Sequence, residues 1–249
     1  MKVATWNVNG IRARESQVRE WLERDHPDAV CLQEIKAPAA QVPPSLRELP
    51  GYCGYWHAET AYSGVALHLR KDACAGEPAF RHPDFDHENR VVTADLADLT
   101  LASVYVPNGG KDFVAKMRFL EAMDTYAAEC QTAGVPLVMC GDMNVARTDM
   151  DVHPKERRPG IVGQRADERA LVEQILSRGL VDVHRVFEPD NADLFTWWAP
   201  WRNLKQRNIG WRLDYVFASE ALASRARSCV VQREFGTSDH GPVIAVFDL

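Results

Sequence analysis

The amino-acid sequence predicts a domain that mixes helices and strands, of the α/β or α+β class, and two kinds of hydrophobic pattern support this. Short apolar runs rich in β-branched residues predict strands. These runs span residues 2–7, 28–33, 64–70, 91–96, 99–106, 135–141, 211–218, 227–232 and 242–248. Helical spacing of apolar residues predicts three helices. The helices contain Val18, Trp21 and Leu22, then Met117, Leu120 and Met123, then Leu171, Ile175 and Leu176.

Residues 1–249 are expected to form a single domain, because no repeat and no Pro/Gly/Ser-rich linker divides the chain. Its longest apolar stretches, such as residues 135–140, are much shorter than the roughly 20 residues of a membrane helix, so no membrane association is expected. The first predicted strand starts directly after Met1, which leaves no room for a signal peptide. No association surface stands out in the composition, and a monomer is the expected state.

The six cysteines form no Cys-x-x-Cys pair, which is typical of a reducing cytoplasm and argues against structural zinc. The formal net charge of −6 disfavours a polyanionic partner only on average, because binding depends on the local field of the surface. We therefore expect a cytoplasmic protein, and its partners have to be predicted from the distribution of its charges.

Polar residues stand where the predicted strands end. Four strands run into Asn7, into Gln33 and Glu34, into Asn108, and into Asp142 and Asn144. The last strand reverses this order, because Asp239 and His240 precede it, as expected for a strand that leaves the same edge antiparallel. One edge of a sheet is therefore expected to collect Asn7, Glu34, Asp142, Asn144, Asp239 and His240.

This set predicts a divalent metal site. Three carboxylates in one cleft repel one another unless a cation neutralises them, and oxygen ligands favour magnesium, with manganese as a substitute, over zinc. A single Asp or Asn at a strand end is more often a turn former or a helix cap. The prediction therefore depends on the co-occurrence of all six residues.

Asp214 lies inside the strand-like run 211–217, where a charged side chain needs a partner. His240 is one candidate, since a carboxylate bound to one imidazole nitrogen fixes the tautomer and favours the protonated ring. An Asp on the solvent face, paired with Arg212 or a neighbouring strand, is an equal alternative.

The segment 197–212 carries four basic residues, no acidic residue and four tryptophans. Basic groups interleaved with aromatic rings suit phosphates together with unstacked bases or sugars. The alternative is a core edge beside a solvated loop. A second basic cluster, residues 155–158, is more typical of a solvated loop.

Seven motifs, in order along the whole chain, resemble the exonuclease III class of abasic-site (AP) endonucleases in the endonuclease/exonuclease/phosphatase superfamily. They are Thr5-Trp-Asn-Val-Asn-Gly-Ile-Arg12, Leu32-Gln-Glu-Ile-Lys36, Tyr62-Ser-Gly-Val65, Tyr105-Val-Pro-Asn108, Gly141-Asp-Met-Asn144, Asn208-Ile-Gly-Trp-Arg-Leu-Asp-Tyr215 and Ser238-Asp-His240. The resemblance implies a four-layer α/β sandwich of the DNase I-like type, with two central mixed β-sheets flanked by helices. It also implies a magnesium-dependent DNA repair hydrolase that cleaves duplex DNA 5′ to abasic sites and has 3′–5′ exonuclease and 3′-end-cleaning activities.

The resemblance also implies roles for the metal and the water. Glu34 would bind the magnesium ion, with Asn7 and Asp239 nearby as ligands or supporting groups. Asp142, positioned by Asn144, would orient or deprotonate the attacking water.

The phosphate would be held by a second set of residues. By resemblance, His240, held by Asp214, stabilises the phosphoryl oxygens. Tyr105 and Asn108 contact the same phosphate, and Lys36 reaches it. Outside this motif, a Tyr that ends a strand is usually a core residue with a solvated hydroxyl. Its role as a hydrogen-bond donor or as a phenolate is left open.

Trp197, Trp211 and Leu213 would form the pocket for a flipped abasic sugar. Two departures from relatives leave the ratio of endonuclease to exonuclease activity open. Lys111 stands where some relatives place an Arg that inserts into the duplex, and Trp197 is bulkier than the Phe found there in some relatives.

Two other functions remain as alternatives. The same fold serves phosphoinositide phosphatases and sphingomyelinases, but the segment 208–215 and the tryptophan pocket favour DNA. A catalytically inactive nucleic-acid-binding regulator is the other, although every expected catalytic residue type is present.

Overall fold

The computed structural model describes residues 1–74 and 76–249, which fold into two β-sheets with helices on their outer faces. The strands are β1 (Lys2–Asn7), β2 (Ala29–Gln33), β3 (Tyr52–His57), β4 (Val65–Arg70), β5 (Ala79–Arg81), β6 (Val91–Asp95), β7 (Thr100–Tyr105), β8 (Leu137–Asp142), β9 (Leu180–Asp182), β10 (Asp214–Ser219), β11 (Ala226–Val231) and β12 (Val243–Phe247). The α-helices are α1 (Glu15–Asp25), α2 (Pro44–Arg47), α3 (Phe113–Thr132), α4 (Ala166–Leu176), α5 (Val183–Phe187) and α6 (Glu220–Ala223).

Both sheets have the same pattern of strand pairing. Their strand orders are β11-β12-β1-β2-β4-β3 and β5-β6-β7-β8-β10-β9. In each sheet only the two central strands are parallel, β1 with β2 and β7 with β8, and all other neighbours are antiparallel. Both sheets are therefore mixed, and the carboxyl ends of each parallel pair meet at one edge of its sheet.

Side chains that alternate between the two faces of each strand pack the sheets and helices into layers. In β1, Val3 packs in the core between the two sheets, whereas Ala4 and Trp6 pack on the outer face against α1. The outer face of the second sheet is covered by α3 and α4, through a cluster that includes Leu120 and Val172. The order helix, sheet, sheet, helix confirms the predicted four-layer sandwich with two mixed sheets.

The predicted helices and strands are found in the structure, together with three further strands and the three short helices α2, α5 and α6. The buried residues of α1 are Val18, Trp21 and Leu22, the stripe that predicted this helix. The additional strands are β3, β5 and β9. β5 and β9 have three residues each, and β3 is an edge strand in which only His57 is buried, so none has a long buried apolar run. The run predicted from residue 211 begins as a strand only at Asp214, because residues 211–213 make only isolated bridges or none.

In the described residues, no helix is both long and apolar enough to cross a bilayer.

Two buried histidines should make stability depend on pH. Burial lowers the pKa of His68 in β4 to about 4. Burial, together with the charge of Arg212, lowers the pKa of His184 in α5 to about 3. Both rings stay neutral in the folded protein at pH 5, whereas the unfolded chain protonates them below about pH 6.5. Their contribution to stability is therefore lost as the pH falls from about 6.5 towards the folded pKa.

We expect His68→Gln to reduce the loss of unfolding free energy between pH 7 and pH 5 by about 2 kcal/mol. A histidine that is protonated only in the unfolded chain contributes about 1.4 kcal/mol per pH unit below its unfolded pKa. Urea unfolding followed by tryptophan fluorescence at both pH values measures this difference. The exposed His87 provides the control His87→Gln, which should keep the wild-type pH dependence. Equal behaviour of the two variants would contradict the assignment.

Candidate active site

The predicted polar residues meet at one edge of the sandwich, but the prediction of a single sheet edge was wrong, because they come from the neighbouring edges of two packed sheets. In the first sheet, Asn7 at the end of β1 lies beside Gln33 at the end of β2, directly before Glu34. In the second sheet, Asp142 at the end of β8 lies between Tyr105 of β7 and Asp214 of β10. Because β10 runs antiparallel to β8, its first residue reaches the edge at which β8 ends.

Asn7 joins the two sheets across the site. Its side-chain Nδ2 donates to Oε1 of Glu34 at 3.0 Å and to Oδ2 of Asp142 at 2.9 Å. Its Oδ1 accepts the backbone N–H of Asn9 at 3.0 Å. In this orientation the amide positions two carboxylates and its oxygen is already engaged. Its predicted role as a metal ligand stays a prediction.

Asp142 is almost fully buried and is held by Asn144 as well. The backbone N–H of Asn144 donates to Asp142 Oδ1 at 2.9 Å, and its side-chain Nδ2 donates to Oδ2 at 3.2 Å. Gly141, which precedes Asp142, has to be glycine, because a Cβ there would lie 1.9 Å from the carbonyl oxygen of Val104. Burial and the charges of Asp214 and Glu34 raise the pKa of Asp142 to about 7, although the charge of His240 opposes this.

His240 faces two carboxylates with its two ring nitrogens. Nδ1 lies 2.8 Å from Oδ2 of Asp214, and because an ionised carboxylate only accepts, the ring nitrogen is the donor. Nε2 lies 3.8 Å from Oδ2 of Asp142. Burial alone would lower the pKa of His240, but the charges of Asp214 and Asp142 raise it to about 10. The ring is therefore charged at neutral pH, with Nδ1 donating to Asp214 and a proton on Nε2 that faces Asp142.

Thr196 fixes the position of Asp214. Its Oγ1 accepts the backbone N–H groups of Leu213 and Asp214, both at 2.9 Å. The partner of Asp214 is thus His240 and not Arg212, which is fully buried and pairs with Asp151 and Asp182. Of the two sequence-based interpretations of Asp214, the structure agrees with the histidine pair.

Asp239 lies at the rim of the same group. Its Oδ1 accepts from Asn9 Nδ2 at 2.8 Å, and its Oδ2 accepts from Trp197 Nε1 at 3.0 Å. Lys36 Nζ contacts Oδ1 of Asn9 at 2.7 Å and Oε2 of Glu34 at 2.5 Å. Burial would raise the pKa of Glu34, but His240, Asn7 and Lys36 together lower it, so Glu34 is ionised at neutral pH.

Tyr105 stands next to this group, 9% exposed. The Arg90 guanidinium lies 4.8 Å from the centre of its ring. Burial and the charges of Glu34 and Asp142 raise the pKa of its hydroxyl, which disfavours a phenolate and leaves the hydroxyl as a donor.

Trp197, Trp211 and Leu213 form an apolar wall beside the polar group. The rings of Trp197 and Trp211 meet edge to face with centres 5.6 Å apart, and both pack against the cluster formed by Ala146, Val152 and Leu213. Gly163 lets the chain pass against this wall, because a Cβ there would lie 2.8 Å from the Trp211 ring. The Trp197 ring centre lies 6.5 Å from that of His240, so the wall and the polar group share one surface.

The polar group fits a divalent cation. Glu34, Asp142 and His240 each offer an atom within 4.8 Å of the others, with no fourth residue of this kind in the described chain. The cationic groups within ion-pair distance of the carboxylates of Glu34, Asp142 and Asp214 are His240 and Lys36, among the described residues, so three carboxylates together with the nearby Asp239 leave negative charge to be neutralised. A protonated imidazole has no lone pair for a metal, so the carboxylate oxygens are the better ligands, and they suit a hard ion.

Of the two remaining predicted residues, Asn108 belongs to the polar group and Lys111 does not. Asn108 donates from Nδ2 to Oδ1 of Asn144 at 3.3 Å and so belongs to the group. Lys111 is exposed on the loop after β7, outside the hydrogen-bonded group. Its predicted contact with DNA stays a prediction.

Asn9, Thr196 and Arg90 were not predicted from the sequence. Asn9 lies inside the first motif, two residues after Asn7, and the motif was the available signal. Thr196 binds main-chain N–H groups of Leu213 and Asp214, and Arg90 lies over the ring of Tyr105. Neither kind of contact leaves a pattern in the sequence.

Comparison with known proteins assigns the chain to a family. Residues 4–240 match the model of the Endonuclease/Exonuclease/phosphatase family, so the chain belongs to this family. It is 31% identical over 257 residues to the Exodeoxyribonuclease of Bacillus subtilis, with both chains fully covered. It is 32% identical over 261 residues to Recombination repair protein 1 of Drosophila melanogaster, and it spans only 37% of that protein's length.

Solved structures agree over the whole chain. An AP endonuclease from Archaeoglobus fulgidus superimposes with a TM-score of 0.86 at 30% identity, with both chains fully covered. The 3′ phosphatase NExo from Neisseria, bound to a product DNA hairpin, superimposes with a TM-score of 0.90 at 28% identity, again with full coverage of both.

Proposed function

We propose that this chain is a magnesium-dependent DNA repair phosphodiesterase that cleaves DNA on the 5′ side of abasic sites and also trims and cleans 3′ ends. The observation that carries this proposal is the buried Asp142–His240–Asp214 group beside the Trp197–Trp211 wall. The Asp142–His240–Asp214 group can hydrolyse a phosphodiester. The tryptophan wall offers a surface for the sugar next to that phosphate. The names of the relatives, an exodeoxyribonuclease, an AP endonuclease and a 3′ phosphatase, support the same substrate class.

The chemistry follows from the positions of the side chains. Asp142, with a pKa raised to about 7 by burial and neighbouring carboxylates, orients the attacking water and takes up its proton. Asn7 and Asn144 hold that carboxylate in place. The protonated His240 ring, kept charged by Asp214, donates to a phosphoryl oxygen as negative charge grows there.

The remaining donors bind the phosphate and the metal. Tyr105, Asn108 and Lys36 present a hydroxyl, an amide and an ammonium for phosphate oxygens. Glu34 and the neighbouring Asp239 would hold a magnesium ion, or manganese in its place, which neutralises phosphate charge and stabilises the departing 3′ oxygen.

The tryptophan wall governs the choice of substrate. Trp197, Trp211 and Leu213 give an apolar face that suits a deoxyribose without a base and offers no donor set for reading a base edge. The indole of Trp197 is pinned by Asp239, and the two rings pack at 5.6 Å. This close packing favours 3′ ends as a second class of substrate, since a terminal sugar needs less room than a flipped nucleotide.

The first test is a denaturing-gel assay on labelled duplex DNA that carries one tetrahydrofuran abasic analogue. We expect a single cut 5′ to the analogue with magnesium and none with EDTA. A duplex with an undamaged recessed 3′ end is run in parallel.

The outcomes separate the parts of the proposal. If neither DNA is cleaved and phosphate is released from inositol phosphates, the substrate class would be inositol phosphates and not DNA. Degradation of only the recessed end would keep the catalytic assignment and reject the abasic pocket. Tight DNA binding with no hydrolysis would indicate a binding regulator.

The setting of this activity is also a proposal. All six cysteines are free thiols, which suits a cytoplasmic protein acting at the nucleoid. A monomer with one nuclease domain over residues 1–249 remains the proposed state.

A further inference from the structure

A lysine lies on the buried face of α3. Lys116 is 0% exposed and shares the inner stripe of the helix with Phe119, Leu120 and Met123. Helix α3 starts at Phe113 because Asp112 caps it. The Oδ1 atom of Asp112 accepts the backbone N–H of Ala115 at 2.8 Å. A charge on such a stripe is costly unless it is paired, so its partners indicate its purpose.

The ammonium group of Lys116 binds the loops that carry two site residues. Its Nζ donates to the main-chain oxygen of Asn144 at 2.7 Å and contacts that of Asn108 at 3.4 Å. The loop that carries Asn108 closes over the stem of the lysine at Gly109, where a Cβ would lie 2.7 Å from Lys116 Cδ. One buried cation therefore fixes the main chain after β7 and after β8.

Glu168 completes the arrangement from α4. It is also 0% exposed, and its Oε2 lies 2.5 Å from Lys116 Nζ. Its Oε1 accepts the backbone N–H groups of Gly163 and Arg165. Gly163 lies against the Trp211 ring, so the same ion pair reaches the tryptophan wall.

These contacts orient the side chain that holds Asp142. Asn144 has a left-handed backbone, with φ 51°, a conformation that asparagine adopts more readily than other non-glycine residues and that its hydrogen bonds hold here. Its carbonyl is bound by Lys116, its N–H and amide bind Asp142, and its Oδ1 accepts from Asn108.

We propose that Lys116 and Glu168 are positioning residues, a buried ion pair that sets Asn144 and Asn108, and through them the Asp142 carboxylate, in their working geometry. The role of the pair in turnover rests on the proposed function. The pair does not reach the substrate, and it acts through main-chain oxygens and N–H groups alone.

The test compares Lys116→Met with a matched control in the same two helical segments. Asp124 of α3 pairs with Arg178, which follows α4, at 2.9 Å and away from the two loops. Asp124→Asn therefore weakens the contact between the same segments and leaves Asn144 untouched. Both variants are assayed on the abasic duplex well below their melting temperatures, and Glu168→Gln is the second variant if Lys116→Met does not fold.

We expect Lys116→Met to lower kcat about 100-fold with KM changed less than about threefold, since a displacement of about 1 Å costs a factor of that order. Glu168→Gln, which keeps Oε1 for Gly163 and Arg165, should lose less. Asp124→Asn should lower the melting temperature but keep kcat within about twofold. Unchanged kcat in Lys116→Met, or an equal loss in Asp124→Asn, would overturn the proposal and leave a structural ion pair.

Hydrogen exchange of residues 143–148, measured by mass spectrometry, separates this inference from the proposed function. Faster exchange there in Lys116→Met but not in Asp124→Asn supports the positioning role even if the wild type cuts no abasic DNA. Equal exchange in both variants would overturn it, whatever the substrate.

Discussion

Asp142→Asn is expected to lower kcat by at least about 1,000-fold while the melting temperature stays the same or rises. The amide keeps the shape of the side chain but removes the group that takes a proton from water. Burial and like charges raise the pKa of Asp142, so the ionised carboxylate opposes folding at neutral pH. A neutral residue at this position relieves that repulsion with Glu34 and Asp214, which offsets the hydrogen bond lost where the new NH2 group faces a donor of Asn7 or Asn144. Loss of activity with retained stability is typical of a residue kept for catalysis.

The matched control is Asp248→Asn. Asp248 is exposed and follows β12, at the opposite end of that strand from His240. Its substitution by Asn is therefore the same chemical change at a position far from the site. Single-turnover assays and thermal melts of both variants test the prediction. A large fall in melting temperature in Asp142→Asn alone would show that the carboxylate serves structure first.

The fold followed closely from the hydrophobic pattern. The buried strands β1, β2, β7 and β8 are runs of mostly apolar residues, because they are covered on both faces, and such runs are the easiest strands to recognise. Edge strands have one free side and need no such run, which explains why β3 and β5 were missed. The arrangement of two sheets in four layers came from the family resemblance, since periodicity does not tell which strands share a sheet.

The site was predictable for the residues that stand at strand ends. Parallel strands of one sheet bring their carboxyl ends to one edge, so Asn7 and Glu34 had to lie near each other once β1 and β2 were neighbours. Asp142 ends β8 in the second sheet and meets them through the packing of the two sheets, which the strand pattern does not specify. Asp214 was harder, because its position depends on β10 beginning at that residue. The sequence left its partner open, and only the strand register with Asp142 brings it beside His240.

Lys116 and Glu168 carried a signal that was overlooked. Each is a charge at a helical position whose neighbours in the stripe, Leu120 in α3 and Val172 in α4, are buried. Two charges on the inner faces of adjacent helices predict a pair with each other. The contacts of Lys116 with the main-chain oxygens of Asn108 and Asn144 could not be predicted from the sequence. The direction of a loop carbonyl depends on backbone torsions, which residue types alone do not specify.

Asp214→Asn is expected to lower kcat about 1,000-fold, close to the loss from His240→Gln. With the carboxylate, Asp214 accepts from Nδ1 and keeps the ring charged, so that Nε2 carries a proton for the phosphoryl oxygen. An amide at this position donates as readily as it accepts, so the orientation, tautomer and charge of the ring are no longer fixed. Substrate contacts through Tyr105 and Lys36 remain, so KM should change little.

The double variant Asp214→Asn/His240→Gln decides whether the two residues act as one unit. Because Asp214 is buried and its Oδ2 is engaged by His240, its effect on the phosphate has to pass through the ring. We therefore expect the double variant to lose no more than the larger single loss, about 1,000-fold, instead of the roughly million-fold product of two independent effects. Single-turnover rates of the four proteins on the same abasic duplex give the coupling. Multiplied losses would mean that Asp214 acts on the reaction by a route that does not include His240, and the proton-donor role of the pair would then have to be abandoned.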